Sequence, residues 1–549
     1  MGGNRRIEAT SSSALFIGCA LAFTGAAACS PPKPLVPPKH VVLLVIDTQR
    51  ADRLSCYGNR HPVTPNLDAL AREGVRFENA VSQCSWTSPS MVSMMSSGYI
   101  AEEGFSIPAD KTTLAEVFKK AGWSTGAFIC NDLLSEDNHF DRGFDVFEWK
   151  LTPYSPNDPI IDWIQKTKDE RSFTFVHLNE VHDPYHPPWE WTHYRTLQEL
   201  PSPERMRYFD EVSAKLGLQD REPSVRKITA ELGGYDDDVN YCDTRIRGIF
   251  DAIKAAGIWD STAILVGADH GEGLFTRVQY LEGTRFTAHL RGEPPTLFNS
   301  LQMTHGSQVN WELVHVPMIL KAPGLPAGSA IPGYVENVDI APTLIDLAGL
   351  AIPSGAQGRS LVPLARDPTS RAALDASLKD SVFTHTRFVS SIITPEGYQF
   401  IHPTEEGICA FELQDELYDL HADPEERENL ASSKPDLVNA LKTLVAQHMK
   451  IGIRGNTTVT ARTLKSLQGL GYTNSGVVAS VRDELAKAET AELLDRLGRE
   501  GSCLMRLEIS RALKERALSA TERDQLTELK KKQPSSVVRD MIDAALKAR

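Results

Sequence analysis

His40-Val41-Val42-Leu43-Leu44-Val45-Ile46-Asp47 is an unbroken apolar run that closes on an acid. A run that does not alternate fits a parallel strand covered on both faces. Two further runs share this form. Ser172-Phe-Thr-Phe-Val-His-Leu178 leads into Asn179-Glu180-Val181-His182-Asp183-Pro184-Tyr185, and Thr262-Ala-Ile-Leu-Val-Gly-Ala268 into Asp269-His270-Gly271-Glu272. Between them lie helical stretches, Thr64 to Gly74, Thr113 to Ala121 and Tyr235 to Ala256, and a shorter strand from Thr125 to Cys130. Strands alternating with helices predict an α/β fold around a doubly wound sheet. In such sheets the side chains just past the carboxyl ends of the strands line the functional crevice.

The stretch Ser85-Trp86-Thr87-Ser88-Pro89-Ser90-Met91, running on to Gly98, reads as a turn that opens a helix. Pro89 suits the first helical position, and Thr87 and Ser88 suit capping positions beside unpaired N–H groups. A helix start attracts anions, and a hydroxyl held there is a candidate nucleophile toward a phosphate or sulfate ester. An ordinary N-cap would look the same.

Asp47, Asp269 and His270 each follow a buried run, so they are expected at one edge of the sheet. Two carboxylates and an imidazole are a metal-ligand pattern, and Thr87 could complete it. A cation there would lower the hydroxyl pKa and polarise an ester oxygen. His182, past a strand end, and His305, in a loop, are the histidines placed to meet a substrate; His315 opens a strand.

The chain has 549 residues, 41% hydrophobic and 24% charged, with a formal net charge of −14. That balance excludes a general nucleic-acid binder. Arg5 and Arg6, the apolar run from Ala14 and Ala26-Ala27-Ala28-Cys29 have the layout of a secretory signal. Cys29 after three alanines looks like a lipoprotein cleavage site, which predicts an exported, envelope-associated protein held to a membrane through a lipid anchor. Ser30 to Pro38 is a stiff proline-rich spacer. The remaining cysteines, Cys56, Cys84, Cys130, Cys242, Cys409 and Cys503, form no Cys-x-x-Cys pair, and their pairing is not readable from spacing.

The ordered landmarks resemble the sulfatase family of the alkaline-phosphatase-like superfamily. They are Val45-Ile46-Asp47-Thr48-Gln49-Arg50, Trp86-Thr87-Ser88-Pro89-Ser90, His182-Asp183-Pro184-Tyr185, Ala268-Asp269-His270-Gly271-Glu272, His305-Gly306 with His315-Val316-Pro317, Val338 to Leu344, and Glu416 to Leu420 with Asn429-Leu430. The resemblance implies an alkaline-phosphatase-like doubly wound α/β sheet with a smaller C-terminal α+β domain. It makes Asp47, Asp269 and His270 metal ligands, Thr87 both ligand and nucleophile, and His182 and His305 catalytic contacts to the anionic group or the leaving oxygen. By family the cation is calcium first, with zinc, manganese or magnesium as alternatives. The expected domains are a signal at 1–28, a linker at 29–38, a catalytic domain at 39–370, a C-terminal subdomain at 371–472 and a helical tail at 473–549.

The chain also departs from the family. Typical sulfatases carry cysteine or serine, oxidised to formylglycine, within Cys/Ser-x-Pro-x-Arg. Here Thr87 holds the nucleophile position and Met91 the arginine position, and no lysine stands just before His305. Oxidised threonine would give a ketone, not an aldehyde. An unmodified hydroxyl on a metal also resembles the phosphodiesterase and phosphotransferase branches, which commonly hold two metals; Glu180 and His182 are the contributors in view for a second. The expected activity is metal-dependent hydrolysis of a sulfate or phosphate ester, on a small anionic ester or a sulfated or phosphorylated glycan or lipid. The alternatives are phosphodiesterase or phosphotransferase activity, or a membrane-anchored binding protein without turnover. The segments Trp189 to Arg226 and Phe275 to Asn299 read as patternless loops shaping the pocket. Trp189 and Trp191 could stack on a sugar or anchor their loop. Past Tyr472, Val481 to Arg549 reads as a helical module packing on the main domain, broken at Pro534.

Overall fold

The computed structural model of the protein describes residues 35–102, 104–197, 199–278, 296–301, 305–368, 381–411, 413–454, 484–500 and 503–547. The expected signal peptide and Cys29 lie outside the described residues.

An eight-stranded sheet runs through the centre, in the order β5-β4-β6-β1-β7-β8-β2-β9. The strands are β1 His40–Ile46, β2 Val75–Val81, β4 Ser124–Ile129, β5 Val146–Glu148, β6 Ser172–Leu178, β7 Thr262–Ala268, β8 His315–Lys321 and β9 Ser329–Glu336, with a short β3 at Ile100–Glu102 elsewhere. β1 pairs in parallel with β6 and β7, whereas β8 runs antiparallel to both β7 and β2. The sheet is therefore mixed, and β2 points the same way as β1. The apolar run of β1 is buried along its whole length. Val41, Leu43 and Val45 enter one core, and Val42, Leu44 and Ile46 the other. Alternate residues face opposite sides, so a strand with no polar alternation must be covered twice.

The first face is covered by α2 Thr87–Ser96, α3 Leu114–Lys120 and α7 Ile340–Leu347. The second is covered by α1 Pro65–Glu73, α4 Asp158–Thr167, α5 Pro203–Leu216 and α6 Arg221–Ala255. Truncating a side chain such as Leu44, 0% exposed, would cost about 2–5 kcal/mol. The segment Trp189 to Arg226, read as a loop, is a correction: α5 and the start of α6 lie within it. Phe209 and Val212, then Val225, Ile228 and Leu232, are buried at helical spacing. Charged residues between them mask the period. Of the second predicted loop, residues 279–295 lie outside the described residues.

The C-terminal part carries a four-stranded antiparallel sheet, β10 Val382–His385, β11 Val389–Ile393, β12 Tyr398–Pro403 and β13 Glu416–Asp419. One face packs Ile392, Phe400 and Leu417 on α9 Pro435–His448. The other packs Val389, Ile393 and Ile401 on Val309, Leu313 and Val314 of the main domain. Four further helices, α10 Thr490–Arg499, α11 Cys503–Lys514, α12 Ala520–Lys531 and α13 Ser536–Lys547, share a core with Ile408 of α8 Glu405–Phe411. A Cys409–Cys503 disulfide and an ion pair of Arg511 with Glu405 at 2.9 Å join this bundle to α8.

Candidate metal and nucleophile site

The register of the sheet builds the site. Ile46 pairs with Leu178 on one side and Ala268 on the other, so Asp47, Asn179 and Asp269 leave three adjacent strands at one level. β4 is level too, with Ile129 opposite His177, and Asn131 follows it. β2, parallel to β1, ends at Val81 on the same edge and feeds α2.

Asp47, Asp269 and His270 are all 0% exposed, and one ligand atom from each lies within 4.8 Å of the others. His270 Nε2 is 3.5 Å from Asp47 Oδ1 and 3.5 Å from Asp269 Oδ2. His270 Nδ1 donates to the Gly271 carbonyl at 2.9 Å. A carbonyl only accepts, so the Nδ1 carries the proton and Nε2 presents its lone pair to the two carboxylates. Thr87 Oγ1 stands 3.3 Å from that same Nε2 and 3.4 Å from Asp47 Oδ1.

The residues present fit a divalent cation. Asp269 Oδ2 is buried and accepts no hydrogen bond, while its Oδ1 accepts from the N–H groups of Thr48 at 3.2 Å and His270 at 2.9 Å. An unmet carboxylate oxygen beside a second buried carboxylate and an imidazole lone pair calls for positive charge. Burial, then the neighbouring Asp269, raises the Asp47 pKa. For Asp269 burial pushes upward, and positive charge on His270, then on His177, would outweigh it and hold the carboxyl well below the usual range. Thr48 adopts a left-handed backbone, φ 56°. Such strain, about 1–3 kcal/mol for a branched residue, accompanies the turn that puts its N–H on Asp269.

The start of α2 differs from the expected cap. The helix begins at Thr87, with Trp86 before it, and no side chain caps it. Pro89 stands third, which costs nothing because all first-turn N–H groups lack helical partners. Thr87 faces the acids instead, and Ser88 Oγ donates to the Phe105 carbonyl at 2.9 Å. Ser90 Oγ donates at 2.5 Å to the carbonyl of Asp269, tying the helix to the end of β7. Met91, at the family's arginine position, is 0% exposed within the core.

His182 and His305 both reach the site. The His305 ring lies 4.3 Å from that of His270 and 5.2 Å from that of His182. His305 Nδ1 donates to Glu272 at 3.1 Å, and His182 Nδ1 to the Asp183 carbonyl at 2.6 Å. Burial opposes charge on His182, but Asp47 and Glu272 outweigh it and raise its pKa. Burial, then the charge on His182, holds His305 well below its ordinary value. Burial pushes Glu272 up to about 7. Glu180, considered for a second metal, instead pairs with Arg245. His315 Nε2 donates to the Glu78 carbonyl at 2.8 Å.

Two residues of the site carry no mark in the sequence reading. Asn131 Nδ2 donates to Asp47 Oδ2 at 2.9 Å, fixing the carboxylate's outer oxygen. His177, fully buried in β6, places Nε2 3.8 Å from Asp269 Oδ2. A polar residue inside a doubly covered strand was the available signal for His177.

The sulfatase family model matches residues 39–350, and a second, the C-terminal region of N-sulphoglucosamine sulphohydrolase, matches residues 308–451. An ulvan-active sulfatase of Formosa agariphila is 24% identical, over 72% of this chain and 78% of its own. An N-acetylglucosamine-6-O-sulfatase of Bacteroides thetaiotaomicron is 20% identical, over 75% and 86%. Among solved structures, the phosphonate monoester hydrolase of Agrobacterium radiobacter superposes with a TM-score of 0.57 at 20% identity, over 75% of this chain and 96% of that one. A protein solved with its substrate D-glucosamine-2-N,6-O-disulfate gives 0.56 at 18%, over 76% and 98%. With the sulfatase model covering more than half of its length, the chain belongs to the sulfatase family of ester hydrolases.

Proposed function

We propose that the protein hydrolyses a sulfate or phosphate ester with a divalent cation at Asp47, Asp269 and His270, and with Thr87 as an unmodified nucleophile. The observation that carries this reading is the Thr87 hydroxyl within 3.4 Å of two members of the triad. The cation would polarise the ester and favour the alkoxide form of the hydroxyl. Thr87 Oγ, its proton lost to solvent, bonds to the phosphorus or sulfur as the ester bond breaks, and the ester oxygen leaves with a proton from His182, which solvent restores, with His305 beside it. Water then releases the phosphate or sulfate and restores the hydroxyl. The first-turn N–H groups of α2 favour the negative charge of the transferred group.

An unmodified hydroxyl favours phosphorus, and phosphonate monoester hydrolases stand among the structural neighbours. Family membership and the glycan-sulfatase names of relatives favour sulfate. Calcium is the cation the family favours, while the imidazole ligand suits zinc or manganese equally, with magnesium the remaining alternative. A glycan fits the surroundings: Trp189 is 79% exposed on the segment after His182, whereas Trp191 packs on Tyr241 at 5.6 Å as a loop anchor. Export and lipid anchoring at Cys29 rest on the signal layout, and a disulfide suits an oxidising compartment.

The test is turnover of aryl sulfate, aryl phosphate, aryl phosphodiester and aryl phosphonate, with each of the four metals and after chelation. Thr87→Ala should abolish it and Thr87→Ser retain part. Turnover unchanged in Thr87→Ala overturns the nucleophile assignment. A metal-free protein inactive on every ester would leave the binding-protein reading standing.

A further inference from the structure

Arg205 lies in the first turn of α5, outside the catalytic constellation. Its Nη2 donates to Thr276 Oγ1 at 3.1 Å. Among the described residues no carboxylate comes within ion-pair distance of it. Two more arginines share its surroundings, and both are already neutralised. Arg50 holds Asp52 through two bonds, at 2.8 and 2.7 Å, and Arg53 holds Asp236 at 3.2 Å. Glu425 also acts on Arg205, but Arg427 already holds it at 2.9 Å; four guanidinium groups thus face three carboxylates among the described residues, and the surplus charge sits on Arg205. Burial, with Arg53 and Arg50 beside it, pushes its pKa down to about 10. It also stands at the positive end of a helix dipole, which disfavours a cation. Nothing in packing alone rewards that placement.

The local structure aims this charge. Thr276 Oγ1 also accepts from Arg50 Nη1 at 3.2 Å, and the same Nη1 donates to the Glu272 carbonyl at 3.1 Å. Leu274 and Phe275, both 0% exposed, hold left-handed backbone at φ 44° and 60°, which turns Thr276 back toward the arginines. The cluster therefore grows from the same turn that carries His270. It opens to solvent at Asp52, whose side chain is 53% exposed.

We propose that Arg205, with Thr276 as its hydroxyl partner, binds an oxyanion (a sulfate, phosphate or carboxylate group) distinct from the one the metal triad would hold. The oxyanion is either a second anionic substituent of the substrate or a free anion. The first source rests on the function proposed above; the binding itself does not. A guanidinium fork presents parallel N–H donors that match two oxygens of such a group.

The experiment is isothermal titration calorimetry of inorganic sulfate and inorganic phosphate into the wild type, Arg205→Gln, Arg205→Lys and Thr276→Val, at ionic strength matched with sodium chloride. Arg205→Gln should weaken one binding event at least tenfold. Arg205→Lys should weaken it less, and Thr276→Val should weaken it where Arg205→Gln proves unstable. Thr87→Ala should leave this event in place, so loss of turnover and loss of the anion site are read separately. Anion binding identical in the wild type and Arg205→Gln overturns the proposal. Kinetics distinguish the sources. A KM raised about tenfold in Arg205→Gln for an ester with two anionic groups, but unchanged for a simple aryl ester, identifies the substrate's own second anion. Unchanged KM for both, with the calorimetric loss present, identifies a free anion.

Discussion

Asn131 Nδ2 donates to Asp47 Oδ2 at 2.9 Å, so the carboxylate turns its other oxygen, Oδ1, to Thr87 and His270. Asn131 touches neither the imidazole nor the hydroxyl. It orients the carboxylate that does.

Asn131→Ala should therefore weaken metal affinity about 10–100-fold, the usual cost of losing a ligand's outer hydrogen bond. Titrating chelated protein with metal and following restored activity checks this. An unchanged affinity would show that the β1 backbone alone sets the Asp47 rotamer.

Restoring the family's arginine should fail. Met91 is 0% exposed and packed in the core under the sheet. Met91→Arg places an unpaired charge there and should cost about 3–5 kcal/mol, seen as a lower denaturation midpoint, without gain in turnover of aryl sulfate. Full stability together with new sulfatase activity would mean the side chain can swing into the crevice.

Stability should fall in mild acid through His385. This residue is buried, with Nδ1 2.9 Å from Ser390 Oγ, and burial pushes its pKa from 6.5 down to about 4. Its folded pKa lies below the unfolded one, so between pH 6.5 and 4 the unfolded chain binds the extra proton. The stability is complete above pH 6.5 and drains away as pH falls toward 4, by about 2 kcal/mol at pH 5. Denaturation midpoints at pH 7 and pH 5 should differ less in His385→Gln than in the wild type.

The Cys409–Cys503 bridge closes a loop with a sequence separation of 94. Chain entropy puts its contribution at about 4–5 kcal/mol. Reduction, or Cys409→Ser, should lower the melting temperature of the α10–α13 bundle while turnover of a small aryl ester stays constant. Calorimetry with and without reductant, paired with the assay, checks both halves.

Asp47, Asp269 and His270 were legible because each ends a run with no polar alternation, and such runs can only be doubly covered strands. Thr87 was legible in place, but the sequence left cap and nucleophile readings both open, because a hydroxyl at a helix start looks like a cap until the acids that face it are in view. Asn131 was not legible, since a neutral amide after a strand is an ordinary turn residue, and only the level register of β4, β6 and β1 gives it a ligand to hold. The α5–α6 region was lost for a related reason, because its buried residues are separated by charged ones that point outward. Arg205 is ordinary in sequence too; its meaning lies in which carboxylates its neighbours already occupy.

Finally, the strand order carries a consequence for biogenesis. Thr87 and His270 stand 183 residues apart in the chain, and the antiparallel β8 must insert between β7 and β2 before they meet. Contacts that distant in sequence close late. A newly made chain would therefore bring the Thr87 hydroxyl to Asp47, Asp269 and His270 only after most of the sheet has formed, although β1 and β7, which carry those three, are direct neighbours. The acids and the imidazole can thus come together before the hydroxyl that faces them, so the site would be completed in two stages.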